Sequence, residues 1–359
     1  MARPHPTPRA VLLPTAIASA LILALLAAFA PWREGGPATA DLAAADEPAP
    51  AAAGPVGEYG RPEVCGTRLC DENGEPVQLR GMSSHGLQWY EQCLTDGSLD
   101  ALAQDWRADV LRISMYVQED GYETDPRGFT DKVHRLIEEA TERGMYAIVD
   151  WHILTPGDPN ANTAAARTFF SEIAERHAGK DNVLYEIANE PNGVGWSGIR
   201  SYAEEIIPVI RDRDPDSVIL VGTRAWSSLG VSEGADEQEI IADPVRADNI
   251  MYTFHFYAAS HGDAYLATLE RAAARLPIFV TEFGTESATG DGSHDFDQAQ
   301  RYIDLMEREQ ISWVNWNYSD DFRSGAVFQP GTCEAGGPWS GASLKPSGEW
   351  IRDRIREGR

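Results

Sequence analysis

Residues 183–191 read Val-Leu-Tyr-Glu-Ile-Ala-Asn-Glu-Pro. The stretch opens as a short apolar run and closes on polar groups and a proline. The same form recurs along the chain. Short apolar or β-branched runs begin near Leu79, Val110, Tyr146, Val183, Val218, Ile250, Ile278 and Ser312, about 28–37 residues apart. Amphipathic segments lie between them. Thr130–Arg143 places Val133, Leu136, Ile137 and Ala140 on one helical face. Ala164–His177, Tyr202–Arg213, Tyr265–Arg275 and Phe296–Arg308 read the same way. Repeated strand-then-helix units predict an α/β fold with a parallel sheet. Eight of them across residues 61–359 fit a single (β/α)8 TIM barrel domain, which typically takes about 250 residues plus insertions. A doubly wound open sheet is the rival. A β-hairpin is expected ahead of the barrel, with Leu69-Cys70 and Pro76–Leu79 as its arms and Asp71-Glu72-Asn73-Gly74 as its turn.

The ends of the runs favour the barrel. They carry Ser83-Ser84-His85, Arg112 to Tyr116, Asp150-Trp151-His152, Asn189-Glu190-Pro191, His255-Phe256-Tyr257, Thr281-Glu282-Phe283-Gly284 and Asn315-Trp316. In a TIM barrel the C-terminal strand ends meet on one face, where active sites sit. Packing alone does not explain polar and aromatic ends on seven strands. Two of these ends carry a glutamate, Glu190 on the fourth strand and Glu282 on the seventh. A carboxylate at the end of a buried strand is costly to desolvate unless it has partners or a task. Either glutamate alone fits a structural ion pair as well as a catalytic one. Together they fit glycoside hydrolysis, in which one carboxyl protonates the departing oxygen and the other attacks the sugar carbon. Arg112, on the second strand, is suited to keep the attacking group ionised.

The segments Gly81–Tyr90, Asp150-Trp151-His152, Ile187–Gly193, His255-Phe256-Tyr257 and Thr289-Gly290-Asp291-Gly292 stand in the order and spacing of a known family. From Pro62 to Ile355 the chain resembles glycoside hydrolase family 5, and within it the bacterial endo-β-1,4-glucanase (cellulase) branch. The resemblance implies a retaining double displacement on β-1,4-glucosidic bonds of cellulose or soluble β-glucan, with no cofactor and no metal. It implies Glu190 as acid/base and Glu282 as nucleophile. Arg112 and Tyr257 would hydrogen-bond the nucleophile. Asn189 would hold the nucleophile and the sugar 2-hydroxyl, His255 would orient Glu190, and His152 would bind another hydroxyl. Trp316 would stack under the ring, and His85, Trp89, Tyr116 and Trp226 would line further subsites. The chemistry agrees, because glucose has an apolar C–H face for aromatics and a polar rim for His, Asn and Gln. Two departures bear on the subsites. Many bacterial members carry a Lys and then a Glu after the last Trp, where this chain has Asn317–Arg323, and Phe283 stands where Trp is common. Other β-glycans remain as alternative substrates: mannan, xyloglucan and mixed-linkage glucan.

Two readings from other classes are a metal-dependent barrel hydrolase and a non-catalytic glycan-binding barrel. The first lacks the HxH or HExxH spacings that bring ligands together locally. The second has no need of either glutamate. Gly193–Gly198 spells GxGxxG, but Trp196 inside it and Pro191-Asn192 before it argue against a dinucleotide fingerprint. Asp320-Asp321 reads as a solvated loop rather than a calcium site. A serine hydrolase is not expected: Gly230–Gly234 spells Gly-x-Ser-x-Gly, but it does not directly follow an apolar strand run as a nucleophile elbow must.

The chain has 359 residues, 30 basic and 56 acidic, for a net charge of −26. Such a charge repels phosphate backbones and anionic membranes, so nucleic acid is not an expected partner. Residues 1–40 read as a signal peptide. Arg3 and Arg9 precede an apolar run from Ala10 to Ala30, and Ala38-Thr39-Ala40 and Ala43-Ala44-Ala45 fit small-x-small cleavage sites. An uncleaved anchor is the rival. Residues 41–60, rich in Ala and Pro, read as a disordered linker. The expected product is a secreted monomer without stable membrane association once the leader is cut. Export permits disulfides. Cys65–Cys70 and Cys93–Cys333 are the favoured pairs, with free buried thiols as the alternative.

Overall fold

The computed structural model describes residues 54–358. The expected signal peptide and most of the expected linker lie outside this range. The linker reading needs correction at its end. Pro55–Tyr59 is a helical turn with proline at its first position, and the Val56 N–H donates to the Gly144 carbonyl at 3.0 Å. Proline there pre-sets the helical φ. Val56 and Tyr59 bring apolar surface that packs on the lower barrel core.

A small antiparallel hairpin follows, β1 (Glu63–Cys65) and β2 (Arg68–Cys70), turned at Gly66 with φ 67° and closed by the Cys65–Cys70 disulfide. The other expected arm, Pro76–Leu79, shrinks to one bridge between Cys70 and Pro76. Pro76 has no N–H to extend a ladder. Asp71 instead turns the chain, its Oδ1 accepting from the N–H groups of Asn73 and Glu75.

Eight parallel strands then close into a barrel: β3 (Arg80–Ser83), β4 (Val110–Tyr116), β5 (Tyr146–His152), β6 (Val183–Glu186), β7 (Ile219–Val221), β8 (Ile250–Tyr257), β9 (Ile278–Gly284) and β10 (Trp313–Trp316). The order is β10-β3-β4-β5-β6-β7-β8-β9, with β10 paired to β3, which removes the open-sheet alternative. Each strand starts within one residue of its sequence expectation. The helices Pro126–Glu142, Thr163–His177, Trp196–Arg211, Asp263–Ala273 and Phe296–Glu309 surround it, and Pro346–Glu357 adds a last one. The Cys93–Cys333 disulfide ties the loop after β3 to the loop after β10.

Strand alternation builds the site. Side chains on a strand face inward at every second position. Val110, Tyr146, Ile148, Leu184, Leu220, Met251, Phe279 and Val314 form an apolar plug low in the barrel. Two residues further up the same faces come polar groups. Val110 is followed inward by Arg112 and Ser114, Ile148 by Asp150 and His152, and Leu184 by Glu186. The register sets Arg112 beside Ile148, Ser114 beside Asp150 and Tyr116 beside His152. One strand breaks the rule. The register of β9 shifts against both neighbours, between Thr253 and His255 on β8 and between Trp313 and Asn315 on β10. Such a bulge re-aims successive side chains. It lets the adjacent residues Thr281 and Glu282 both serve the interior.

Candidate active site

Arg112 lies at the base of the site with no exposed surface. Its Nε donates to Glu186 at 2.7 Å, and its two terminal nitrogens lie 3.2 Å from Glu282 and 3.0 Å from Asp150. It also donates to Asn189 Oδ1 at 2.6 Å. One guanidinium thus meets three carboxylates. Its donor fork matches this geometry, which a lysine could not. Above it, the Tyr257 hydroxyl donates to the other oxygen of Glu282 at 2.7 Å. Glu282 therefore receives both bonds expected of it. The expected bond from Asn189 is not made. The Asn189 oxygen is taken by the stronger donor, Arg112, and its amide nitrogen faces His152 Nε2 at 3.2 Å.

Glu190 sits on the other side, with His255 Nδ1 at 3.0 Å from its Oε1. His255 Nε2 is 2.9 Å from the Thr281 hydroxyl, which donates its own hydrogen to Glu186 at 2.6 Å. A hydroxyl has one hydrogen to give. The Thr281 oxygen therefore accepts, and the proton is on His255 Nε2. One oxygen each of Glu190 and Glu282 and a nitrogen of His255 lie within 4.8 Å of one another.

These surroundings push the two carboxyls apart. Burial, reinforced by the nearby Glu282 charge, raises Glu190 above the usual carboxylate range in spite of its His255 bond. Burial would also raise Glu282, but the His255 and Arg112 charges outweigh it and hold that group low. His255 rises to about 9, its burial overcome by the adjacent Glu186 and Glu190 carboxylates. His152 falls to about 3 through burial and the Arg112 charge, so its ring is neutral and Nδ1–H donates to Asp150 at 2.6 Å. Pairs of groups driven in opposite directions mark acid and base assignments.

A cleft of about 1060 Å³ opens above them. Glu190, Glu282, His152, His255, Tyr257, Trp316, His85, Trp89, Tyr116 and Trp226 all line it, while Arg112 and Asn189 lie beneath. Tyr116, Tyr257 and Trp316 make an apolar floor with Leu154. The His152 ring stacks on Tyr116 at 4.0 Å and lies 5.4 Å from Trp316. Among the described residues three large apolar side chains are exposed: Trp89 at 40%, Trp226 at 45% and Phe322 at 76%. All three line this cleft. Exposed rings gathered in one groove mark a binding surface rather than chance.

The Asn317–Arg323 stretch forms one end wall. Asp321 is buried, 3.7 Å from His85 Nε2 and 3.6 Å from Arg323. Asp320 accepts from the backbone N–H groups of Gly331 and Cys333, which is a structural use. Among the described residues two clusters have the spacing of metal ligands. In one, Cys93 and Cys333 are consumed by their disulfide. The other is Glu190, His255 and Glu282 themselves.

Sequence reasoning passed over several participants. Glu186 and Thr281 connect Arg112 to His255. Glu186 carried a signal, since it shares the inward face of an apolar strand with Leu184. Thr281 carried one too, standing two positions beyond inward Phe279, and the bulge is what brings Glu282 to the same side. Glu286 was also missed. It is buried, its Oε1 has no partner, and burial raises it to about 7.

A family model described as Cellulase (glycosyl hydrolase family 5) matches residues 70–322. Endoglucanase E-5 of Thermobifida fusca is 70% identical over 302 residues, which cover 84% of this chain and 65% of that one. This chain thus spans less than two thirds of that relative's length. The crystal structure of the catalytic domain of the T. fusca endoglucanase Cel5A (E5) superposes with a TM-score of 0.84 at 70% identity, covering 84% of this chain and 99% of that one. A variant of that domain in complex with cellotetraose gives the same TM-score at 69% identity and the same coverage.

Proposed function

Because the chain belongs to glycosyl hydrolase family 5, we propose that it is an endo-β-1,4-glucanase that cleaves internal bonds of cellulose or soluble β-glucan with retention of configuration. The observation that carries this is the carboxyl pair. Glu190 and Glu282 have oxygens within 4.8 Å, one raised and one held ionised. Retaining enzymes place their carboxyl groups about 5–5.5 Å apart, whereas inverting enzymes need roughly 6.5–9.5 Å to admit a water.

In this reading Glu190 gives its proton to the glycosidic oxygen as the C–O bond breaks. Glu282 attacks the anomeric carbon and forms a glycosyl ester. The Arg112 and Tyr257 bonds to Glu282 loosen as its charge passes into that ester. Glu190, now ionised, takes a proton from water, and the hydroxide equivalent displaces Glu282. His255 Nδ1 stabilises the Glu190 carboxylate between the two steps. Trp316 lies under the sugar, and His152 lines the cleft beside it, steadied from beneath by the Asn189 amide. Cellotetraose in the T. fusca catalytic domain supports a β-glucan as substrate. Two disulfides and the apolar leader support secretion into an oxidising space. One chain supplies the whole set, so a monomer suffices.

The test is release of reducing ends from soluble cellulose, with mannan, xyloglucan and mixed-linkage glucan alongside. Glu190→Gln and Glu282→Gln should each lower kcat by about 10²–10⁴, and a chelator should leave the wild-type rate unchanged. Full activity in either variant would remove that residue's role. A preference for mannan would keep the chemistry and change the substrate.

A further inference from the structure

The wall of the cleft beyond Trp226 holds a cluster that no expected subsite uses. Trp226 itself stands on an unusual backbone. Ala225, Trp226, Ser227 and Leu229 take φ of 61°, 58°, 50° and 56°. A residue with a side chain is disfavoured in this left-handed region. The turn is held in place. The Trp226 N–H donates to the Pro191 carbonyl at 3.0 Å, and the Ser227 hydroxyl donates to the Asn189 carbonyl at 2.6 Å. The turn is thereby fixed to the segment that carries Glu190. An acid that protonates the leaving oxygen faces the leaving-group side of the cut, so this wall belongs to that side.

His261 and Tyr265 continue the wall. Their rings stack at 3.9 Å with 6° between planes. His261 Nδ1 accepts from the Tyr257 backbone N–H at 2.9 Å. Its proton is therefore on Nε2, and burial, which lowers the ring to about 4, keeps it neutral. The Tyr265 hydroxyl is 2.5 Å from the Ser232 hydroxyl. His261, Tyr265 and Ser232 all line the cleft with Trp226. Together they present a fixed N–H donor and a hydroxyl pair able both to donate and to accept. That set suits the rim of a sugar and no charged ligand.

We propose that His261, Tyr265 and Ser232 form a further glucosyl subsite on the leaving-group side, receiving hydroxyls of the β-glucan chain beyond the unit at Trp226. This rests on the endoglucanase reading. The test compares cellopentaose with p-nitrophenyl cellobioside, whose leaving group is a single aryl ring that does not extend past Trp226. Each is assayed with the wild type, Tyr265→Ala and Tyr265→Phe. The quantity read is the ratio of kcat/KM for cellopentaose to that for the aryl cellobioside. Loss of one or two neutral hydrogen bonds and a ring contact should lower this ratio about tenfold in Tyr265→Ala. Tyr265→Phe, which keeps the ring, should lower it about threefold. The bonds cut in end-labelled cellopentaose should shift away from those leaving more than one sugar on this side. An unchanged ratio and pattern would overturn the subsite, including the case where both rates fall together because His261 no longer supports Tyr257. If the wild type cleaves neither compound, the endoglucanase reading fails first and the subsite with it.

Discussion

Replacing Arg112 with methionine keeps length and apolar stem and removes one buried charge. The guanidinium now lies 2.7 Å from Glu186, 3.0 Å from Asp150 and 3.2 Å from Glu282, and none of the four has more than 5% of its side chain exposed. Removing one partner of a buried ion pair destabilises by about 3–5 kcal/mol, because a charge is left without compensation. At roughly 2.1 cal/mol/K per residue, unfolding about 300 residues carries about 0.6 kcal/mol/K, so the expected fall in Tm is about 5–8 °C. The loss must depend on pH. Glu186 lies at about 2 in the wild type because Arg112 overrides its burial, and Glu282 is also held low. Without Arg112, burial is the leading influence and their folded pKa values rise above the unfolded value of about 4.3. A group raised on folding keeps its stability contribution below the unfolded pKa and loses it as pH climbs through the folded one. The gap in Tm between wild type and Arg112→Met should therefore widen from pH 5 to pH 8. It should also persist in high salt, since a buried cluster is poorly screened. Thermal unfolding followed by circular dichroism at both pH values reads this directly. A fall below about 2 °C, or an equal fall at both pH values, would refute the account of Arg112 as the group that holds Glu186 and Glu282 ionised.

Glu286 lends itself to a second linkage measurement. Its carboxyl is raised to about 7, so its stability contribution is complete near pH 4 and lost as pH rises through 7. Glu286→Gln should flatten the decline in unfolding free energy between pH 5 and 9, removing up to about 3 kcal/mol of it; an unaltered slope places the titration elsewhere. The two disulfides should differ sharply in worth. Cys93–Cys333 closes a loop of 240 residues and Cys65–Cys70 one of 5. Loop-closure entropy gives upper estimates of about 5 and 2 kcal/mol. Paired replacement by alanine should lower Tm more for the long loop, and the reverse order would show that the hairpin matters more than chain entropy.

Much of this was legible before any coordinates. Strand starts could be read because each inward face begins apolar, and the chemistry could be read because each ends polar. Both carboxylates and their main partners stood at or just beyond strand ends, where a barrel gathers its chemistry. What escaped followed from departures from that period. The bulge in β9 turns Glu282 inward beside Thr281, and nothing in Val-Thr-Glu-Phe announces an extra residue. Asn189 was expected on Glu282, but its partner was decided by competition among donors around Arg112, which is a property of three-dimensional crowding. Pro55–Tyr59 looked like linker because five residues show no periodicity, yet packing on the barrel base is enough to order them. The strained turn at Trp226 was invisible for another reason. Its residues have no left-handed preference, and hydrogen bonds from distant strands impose the conformation.

The seam between β10 and β3 has a consequence for how the molecule comes into being. It joins the first barrel strand to the last, and the Leu79 N–H donates to the Ser312 hydroxyl across 233 positions of chain. Contacts so remote in sequence form late, because local structure is entropically cheaper to assemble first. Trp316 and the Asn317–Arg323 wall arrive with the last strand, and His85 and Trp89 stand across the seam on the first. A ring with that joint open holds its helices but only part of its groove. Recovery of hydrolysis during refolding is thus a clock for the final ring closure, and it should lag the return of the helical signal.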